Sequence, residues 1–282
     1  MTDSAPVRVA IPSGGRLRDF VIELLDDAGY PARLFAGTGA RATVDGMDMI
    51  EMRPRDAAVW LKADRFNGAF ISTDIVLEEG LQHMAALELG SVRSDLVLAS
   101  RDDDGRAGVA DLAGAVVATH LPNATAAFFA EQGIEARVVS MGGSLEGVCA
   151  AGLADAIVDL RQTGTSLAAN RLRVLATIAP CQALFVHDDS AVLQEVELRL
   201  TAVLEARRRR YVMLHLHPDN VGRLAELFPG LEAPTVLPLA FREDLVAVHL
   251  VAEAATLWAR LSDLRALGAS SIVALPPDAL LP

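Results

Sequence analysis

Two carboxylates and a run of hydroxyls lie close together in Gly152–Leu167, which reads GLADAIVDLRQTGTSL. The order predicts a helix end, a short buried strand from Ala156 to Leu160, and a turn at Thr163, Gly164, Thr165 and Ser166 that opens a new helix. Backbone N–H groups and hydroxyls at such a turn can cradle a phosphate. Gly164 lets the backbone approach it, and a carboxylate at the strand end can accept hydrogen bonds from sugar hydroxyls. Together they suit a phosphorylated sugar; an ordinary helix N-cap uses the same residue types. Asp159 shifts the balance towards a ligand, because an aspartate inside an apolar strand is costly unless it is paired or sits at a polar mouth. Asp155 brackets the other end of the strand. Glu146 opens the preceding helix, where a carboxylate also complements the helix dipole.

A second pattern, Ser13-Gly14-Gly15-Arg16, follows an apolar run and opens a helix. That is a place for an anion or nucleotide contact, or for a plain tight turn. Arg53 and Arg55, with Asp56, form a basic patch. Arginine grips phosphate in a planar, two-pronged way, and a surface ion-pair network would use the same letters. His215 and His217 alternate and are expected on one side of a strand, which makes a metal site only with a third ligand. The four arginines Arg207–Arg210 are read as cations complementing a helix C-terminus. Cys149 and Cys181 lie in apolar stretches without metal-type spacing and are read as buried free thiols. No Ser-His-Asp or Cys-His arrangement suggests a covalent nucleophile.

These residues are positioned by alternating strand and helix patterns. Val7–Ile11 reads as a strand, Leu17–Ala28 as a helix ended at Gly29, and Ala69–Ile71 as a buried strand after which Asp74 caps a short helix. Asp95–Ser100, Ala115–Thr119 and Val138–Met141 read as strands, with a helix over about 124–132 and another opened by Ser144 and Leu145. The alternation predicts an α/β protein with mostly parallel sheets covered on both faces. Ligands in such folds sit beyond the carboxyl ends of strands. After the helical pattern Leu193–Arg210 come strands Tyr211–Leu216, Thr235–Leu239, Leu245–Val251 and Ser271–Leu275, with helices Asn220–Phe228 and Ala254–Leu267 between them. That is the βαββαβ order of a ferredoxin-like domain.

The phosphate-turn segment resembles the phosphoribosyl-pyrophosphate loop of the ATP phosphoribosyltransferase family. Other pieces agree in order along nearly the whole chain: VRVAIPSGGRL near the start, RPRD at Arg53–Asp56, DIVLEEG at Asp74–Gly80 and DLAGAVVATHLPN at Asp111–Asn123. GSLEGVCAAGLADAIVD, PGLEAPTVLPLA at Pro229–Ala240 and LGASSIVALP at Leu267–Pro276 follow, the last two resembling the long, histidine-regulated form. The resemblance implies a bilobal, periplasmic-binding-protein-like catalytic part with a cleft and a C-terminal regulatory domain. Lobe I would be 1–94 and 174–207, lobe II 95–173, and the regulatory domain 208–282. It implies attack of the ATP purine N1 on C1 of phosphoribosyl pyrophosphate, with departure of pyrophosphate, as the first step of histidine biosynthesis.

The resemblance also assigns roles. Asp159 faces the ribose hydroxyls, with Glu146 and Asp155 as further catalytic candidates, and Thr163, Gly164, Thr165 and Ser166 hold the 5′-phosphate. Gly15, Arg16, Arg53, Arg55 and Asp74 fall on the nucleotide side. His215, Thr235 and Ser271 match positions lining the histidine-inhibitor pocket. Mg²⁺ would be carried by the substrate pyrophosphate, not by a dedicated protein metal site, and the subunits would form a hexamer in equilibrium with dimers. Three departures fall mainly on the acceptor side. Ser13-Gly14 replaces a usual lysine, Phe70-Ile71-Ser72-Thr73 replaces a usual Gly-Ile-Thr-Gly, and Gln162 stands where serine or glycine is usual. They motivate a rival, a paralogous phosphoribosyltransferase using another acceptor. A non-catalytic small-molecule-binding protein is a second.

Bulk properties agree with a globular protein. The 282 residues are 52% hydrophobic and 22% charged, enough for a sizeable core and too apolar for disorder. A net charge of −12 argues against nucleic-acid binding, and anionic substrates then need locally placed cations. No apolar run is long enough to span a bilayer, so no membrane partner is expected. The short polar start Met1–Pro6 is read as carrying no signal peptide, which makes the expected location cytoplasmic.

Overall fold

A computed structural model describes residues 6–31, 41–229 and 233–281. Met1–Ala5 of the polar start and Gly230–Glu232 of the Pro229–Ala240 stretch lie outside them. The chain forms two compact units, Met1–Glu23 with Pro31–Glu195, and Leu24–Tyr30 with Val196–Pro282.

The first unit contains two sheets. In chain order, its elements begin β1 (Val7–Pro12), α1 (Gly15–Asp27, which continues into the second unit), β2 (Arg41–Val44), β3 (Met47–Met52), α2 (Pro54–Lys62), β4 (Gly68–Ser72), α3 (Thr73–Glu79) and β5 (Ala85–Glu88). Then come β6 (Ser94–Arg101), β7 (Val116–Thr119), α4 (Pro122–Glu131), β8 (Arg137–Ser140), α5 (Leu145–Ala150), β9 (Ala156–Arg161), α6 (Thr165–Ala169) and β10 (Leu172–Cys181). The chain returns through β11 (Ala183–His187) into α7 (Ala191–Arg208), which also spans both units. Lobe I holds the six-stranded sheet β2-β3-β1-β4-β11-β5, and lobe II the five-stranded sheet β10-β6-β9-β7-β8.

Apolar strands set these layers. In lobe I, Ala10, Ile71 and Val186 pack against Leu61 of α2 and Val76 of α3. In lobe II, Leu96, Leu98 and Val158 face Leu121, Ala124 and Phe129 on one side. Val97, Ala99 and Ile157 face Leu145, Cys149 and Leu167 on the other. Burying side chains of this size contributes about 1.5–3 kcal/mol each, so both faces of the second sheet are strongly specified.

The sheets are mixed, where the alternating pattern predicts mostly parallel ones. β1 pairs parallel with β3 and β4, and β7 with β8 and β9. β2, β5, β6, β10 and β11 pair antiparallel. For β2 the cause is the tight turn at Asp45-Gly46 that folds it onto β3; for the others it is a chain that crosses from lobe I to lobe II and back, laying strands against the run of the βα units. The return also comes later than 174: β10 pairs along its length with β6, so the chain leaves the second sheet at Gln182. Gln182 is tied to the start of α3, accepting from Thr73 N at 3.0 Å and donating its own N–H to Thr73 Oγ1 at 3.1 Å.

A second tie joins the lobes at the helices. Glu78 of α3 is buried, its Oε2 accepts from Ala124 N at 2.9 Å, and its carbonyl accepts from Asn123 Nδ2 at 3.1 Å. A carboxylate at the start of α4 satisfies a free amide and the helix dipole together.

In the second unit β12 (Arg209–Leu216) is followed by α8 (Val221–Leu227), β13 (Thr235–Leu239), β14 (Arg242–Glu253), α9 (Ala254–Ala259), α10 (Leu261–Ala266) and β15 (Ser270–Leu275). The sheet order β13-β14-β12-β15 is that of a ferredoxin-like domain. Val212, Leu214, Val248 and Leu250 pack under Leu224, Leu257 and Leu264 of the helices. The expected single helix Ala254–Leu267 is broken at Arg260, whose φ of −107° and ψ of 10° leave helical geometry. The arginine run divides: Arg207 and Arg208 end α7, while Arg209 and Arg210 begin β12. Arg207 pairs with Asp27 at 2.7 Å and Arg208 with Glu205, so carboxylates as well as a helix end account for the run.

Candidate active site

Strand direction decides which residues meet. β1, β3 and β4 run parallel, so Arg16, Arg53 and Thr73–Asp74 all follow the carboxyl edge of the lobe I sheet. β7, β8 and β9 likewise carry His120, Met141–Ser144 and Gln162–Ser166 beyond their carboxyl edge in lobe II. The two edges touch where Arg55 Nη2, in the first turn of α2, donates to the carbonyl of His120 at 3.0 Å.

The turn at Thr163–Ser166 has the backbone form that the sequence predicts, opening a helix after Gly164. Gly164 has a φ of 78° and directly precedes α6, placing the amides of Thr165 and Ser166 at the helix start. A Cβ on Gly164 would meet only Arg161 Cδ, at 3.7 Å, so glycine is required by its backbone angle and not by crowding. The hydroxyls of Thr163 and Thr165 lie 3.0 Å apart. Ser166 Oγ donates to Glu146 Oε1, and Ser144 Oγ donates to Glu146 Oε2 at 3.3 Å. The Ser166 bond holds the Glu146 carboxyl below the usual glutamate range.

Asp159 lies near the end of β9, a few residues before this turn. It alternates with Ile157 along β9 and so points to the face covered by α5 and α6. Its Oδ1 accepts from the amide of Leu160 at 2.8 Å. Burial pushes its carboxyl above the usual aspartate range, and the negative charge of Glu146 adds to the shift. His120 moderates it, and the Nδ1–H of that ring donates to the carbonyl of Met141 at 2.6 Å. The arrangement is thus a turn of amides and hydroxyls with two carboxylates, Asp159 and Glu146, and one imidazole near it. His120 is not among the residues that the sequence singles out; its signal is its place just after a strand of the parallel set.

Asp155 is not part of this group. It precedes β9 at the opposite edge of the sheet, about 13 Å along the strand from Asp159. Its Oδ1 pairs with Arg106 at 2.7 Å and its Oδ2 accepts from Val116 N at 2.8 Å. The Val116 amide is the main reason its carboxyl sits below the usual range. A catalytic role is therefore replaced by a structural one, pinning the start of β7. Asp155→Ala should lose about 1–2 kcal/mol of stability, a charged hydrogen bond discounted for an exposure of 36%, while kcat/KM stays within about threefold. Because the folded-state value is lowered, this stabilisation exists above the ordinary aspartate range and vanishes as pH falls through the folded value. Melting curves of the two proteins should converge in acid.

Other candidates are placed as follows. Gly15 has a φ of 75°, and Arg16 and Arg53 are exposed. Asp74 does not cap α3: Ser72 is the N-cap residue, and Asp74 sits within the first turn, 6% exposed, with Oδ1 lacking a hydrogen-bond partner. His217 lies outside β12, where its Nδ1 accepts from Asp219 N at 3.3 Å, so the pair His215–His217 is not presented on one strand. Among the described residues no group of three or more His, Cys, Asp and Glu is arranged to hold a metal ion. Cys149 and Cys181 are free and buried, and burial pushes the Cys181 thiol up to about 11. His215 neighbours Ser270, next to Ser271, across β12 and β15. Thr235 is on the opposite edge strand, β13, two strand spacings or about 10 Å from β12 and three or about 14 Å from β15. No described helix is long and apolar enough to cross a membrane.

Comparison with known proteins gives a consistent result. The ATP phosphoribosyltransferase family profile matches residues 53–206, and the profile described as HisG, C-terminal domain, matches 206–277. An ATP phosphoribosyltransferase of Gemmatimonas aurantiaca is 32% identical, covering 98% of this chain and 100% of its own. One from Methanococcoides burtonii is 30% identical over 98% of this chain and 100% of its own. Among solved structures, the ATP phosphoribosyl transferase (HisG:HisZ) complex of Thermotoga maritima contains a chain with a TM-score of 0.58 and 25% identity, covering 71% of this chain and 98% of that one.

Proposed function

We infer that this chain, which belongs to the ATP phosphoribosyltransferase family, catalyses the first step of histidine biosynthesis, transferring the phosphoribosyl group of phosphoribosyl pyrophosphate to N1 of ATP. The observation that carries the reading of the site is the turn at Thr163–Ser166, bonded through Ser166 to Glu146 and following Asp159 at the carboxyl edge of the lobe II sheet. The turn takes the 5′-phosphate on its amides and hydroxyls. Asp159 and Glu146 lie along the ribose. As the C1–O bond to pyrophosphate breaks and the N1–C1 bond forms on the opposite face, positive charge develops on the sugar ring, and fixed carboxylates stabilise it. Arg16, Arg53 and Arg55, at the facing edge, supply cations for the phosphates of ATP and pyrophosphate. No covalent intermediate is needed: the protein aligns two anionic substrates and stabilises the leaving group.

Mg²⁺ would be carried by the substrate pyrophosphate, where it would offset the charge of the leaving group. Glu146 is engaged by Ser144 and Ser166, which leaves a donor set suited to an ion that keeps phosphate and water ligands and asks for one or two protein carboxylates. We place the enzyme in the cytoplasm as a homo-oligomer of the hexamer–dimer type. Support for association is the open face of the C-terminal sheet, which exposes Tyr211, Leu237, Val273 and Leu275. Histidine inhibition is assigned to the same domain, around His215 and Ser271.

Incubation with phosphoribosyl pyrophosphate, Mg²⁺ and ATP should give phosphoribosyl-ATP absorbance that depends on all three. Pyrophosphate release with another base but none with ATP would favour the paralogue. Absence of donor binding would remove the enzymatic reading.

A further inference from the structure

A cavity of about 440 Å³ lies between the two lobes of the first unit, lined by Thr73 at the start of α3, Gln182 at the return crossing, and Arg161 at the end of β9. Two guanidinium groups, Arg93 and Arg161, and two carboxylates, Glu88 and Asp95, border it. Arg161 stands immediately before the phosphate turn. Its stem supports that turn, with Cδ 3.7 Å from where a Cβ on Gly164 would be. Its head is paired with Asp95, directly opposite in the β6–β9 register, at 2.6 Å.

Both side chains of that pair are partly open, Arg161 at 33% and Asp95 at 39%. A pair this exposed adds little to stability, so its partner can be exchanged cheaply. A phosphate group offers the same two-pronged acceptor geometry with more charge. Asp95, when released, remains at the cavity wall with part of its side chain open to solvent.

We propose that Arg161 is a substrate-phosphate-binding residue, held on Asp95 in the free protein and passed to a phosphate group when the cleft is loaded. The proposal rests on the reading of the adjacent turn as the phosphoribosyl site. The phosphate comes from the phosphoribosyl donor or from the triphosphate of the acceptor, and the two are separated by experiment.

Steady-state kinetics with each substrate varied in turn, on R161Q, R161K and D95N, tests it. R161Q should lower kcat/KM about tenfold or more, carried by the KM of one substrate. The substrate whose KM moves is the one whose phosphate is held. R161K should restore part of the loss, and D95N should leave that KM unchanged or lower it. If D95N raises the KM as much as R161Q, the pair is structural and the proposal is overturned; it is overturned equally if R161Q moves neither KM. Melting curves establish that each variant is folded. Should R161Q fail to fold, R161K against D95N decides: a KM raised only in R161K supports the proposal, and equal effects defeat it. Failure of the underlying reading looks different, since wild-type protein would then bind no phosphoribosyl pyrophosphate at all.

Discussion

Asp159→Asn is expected to lose on the order of 10²–10³-fold in kcat/KM, as for removal of one preorganised electrostatic group, and at the same time to melt at a higher temperature than the wild type. The two effects share one cause. Burial and the neighbouring Glu146 charge raise the Asp159 carboxyl in the folded protein, so the ionised form is disfavoured there relative to the unfolded chain. For a group raised in this way, the stability contribution is fully present below the unfolded value and is lost as pH rises through the folded value. At neutral pH the wild type therefore carries a destabilising charge near the turn. Asparagine keeps the shape and still accepts from the Leu160 amide through Oδ1, but it brings no charge to a cationic sugar ring. The stability gap between variant and wild type should be small in mild acid and widen towards neutral pH. Circular-dichroism melts across that range, with single-turnover assays, check both halves. Unchanged turnover would remove Asp159 from the chemistry, and a less stable variant would show that its environment favours the charge.

Much of this site is local and is legible in the amino-acid order alone. The strand from Ala156, the helix opened by Ser144 and the αL glycine at 164 each depend on residues within one turn or strand of each other. The C-terminal domain is legible for the same reason: four strands and their helices follow one another with clear breaks, and their order alone gives the topology. Asp155 and Asp159 show where such reading stops. Both bracket the same strand, and their types and spacing do not say which end lies at the carboxyl edge of the sheet; that depends on the parallel pairing of β9 with β7. Arg55 reaching His120, Glu78 reaching Ala124 and Asp95 reaching Arg161 join positions dozens of residues apart. No local periodicity encodes those contacts. One hairpin does carry a local signal: Asp45-Gly46, with φ values of 48° and 78°, is the Asp-Gly turn that joins β2 to β3.

Gly164→Val should raise the KM for phosphoribosyl pyrophosphate tenfold or more while leaving the KM for ATP nearly unmoved. Gly164 is held at a φ of 78°, where a side chain costs roughly 1–2 kcal/mol, and a β-branched one is a true outlier. Nothing crowds the position, because an added Cβ would meet only the flexible Arg161 stem at ordinary contact distance. The penalty is thus conformational, and the chain can relieve it by relaxing the turn towards negative φ. Relaxation swings the Thr165 and Ser166 amides away from a common point, and about 1.4 kcal/mol lost from phosphate binding is already a factor of ten. Gly164→Asn separates this from a general defect, because asparagine tolerates the left-handed region. It should hold the turn and keep the donor KM within about threefold of wild type. Calorimetric titration of the donor into both variants gives the comparison directly. Equal losses in the two would mean that side-chain bulk and not backbone angle governs the site. A loss confined to ATP would mean that the turn serves the acceptor, and the assignment of the two lobes would have to be exchanged.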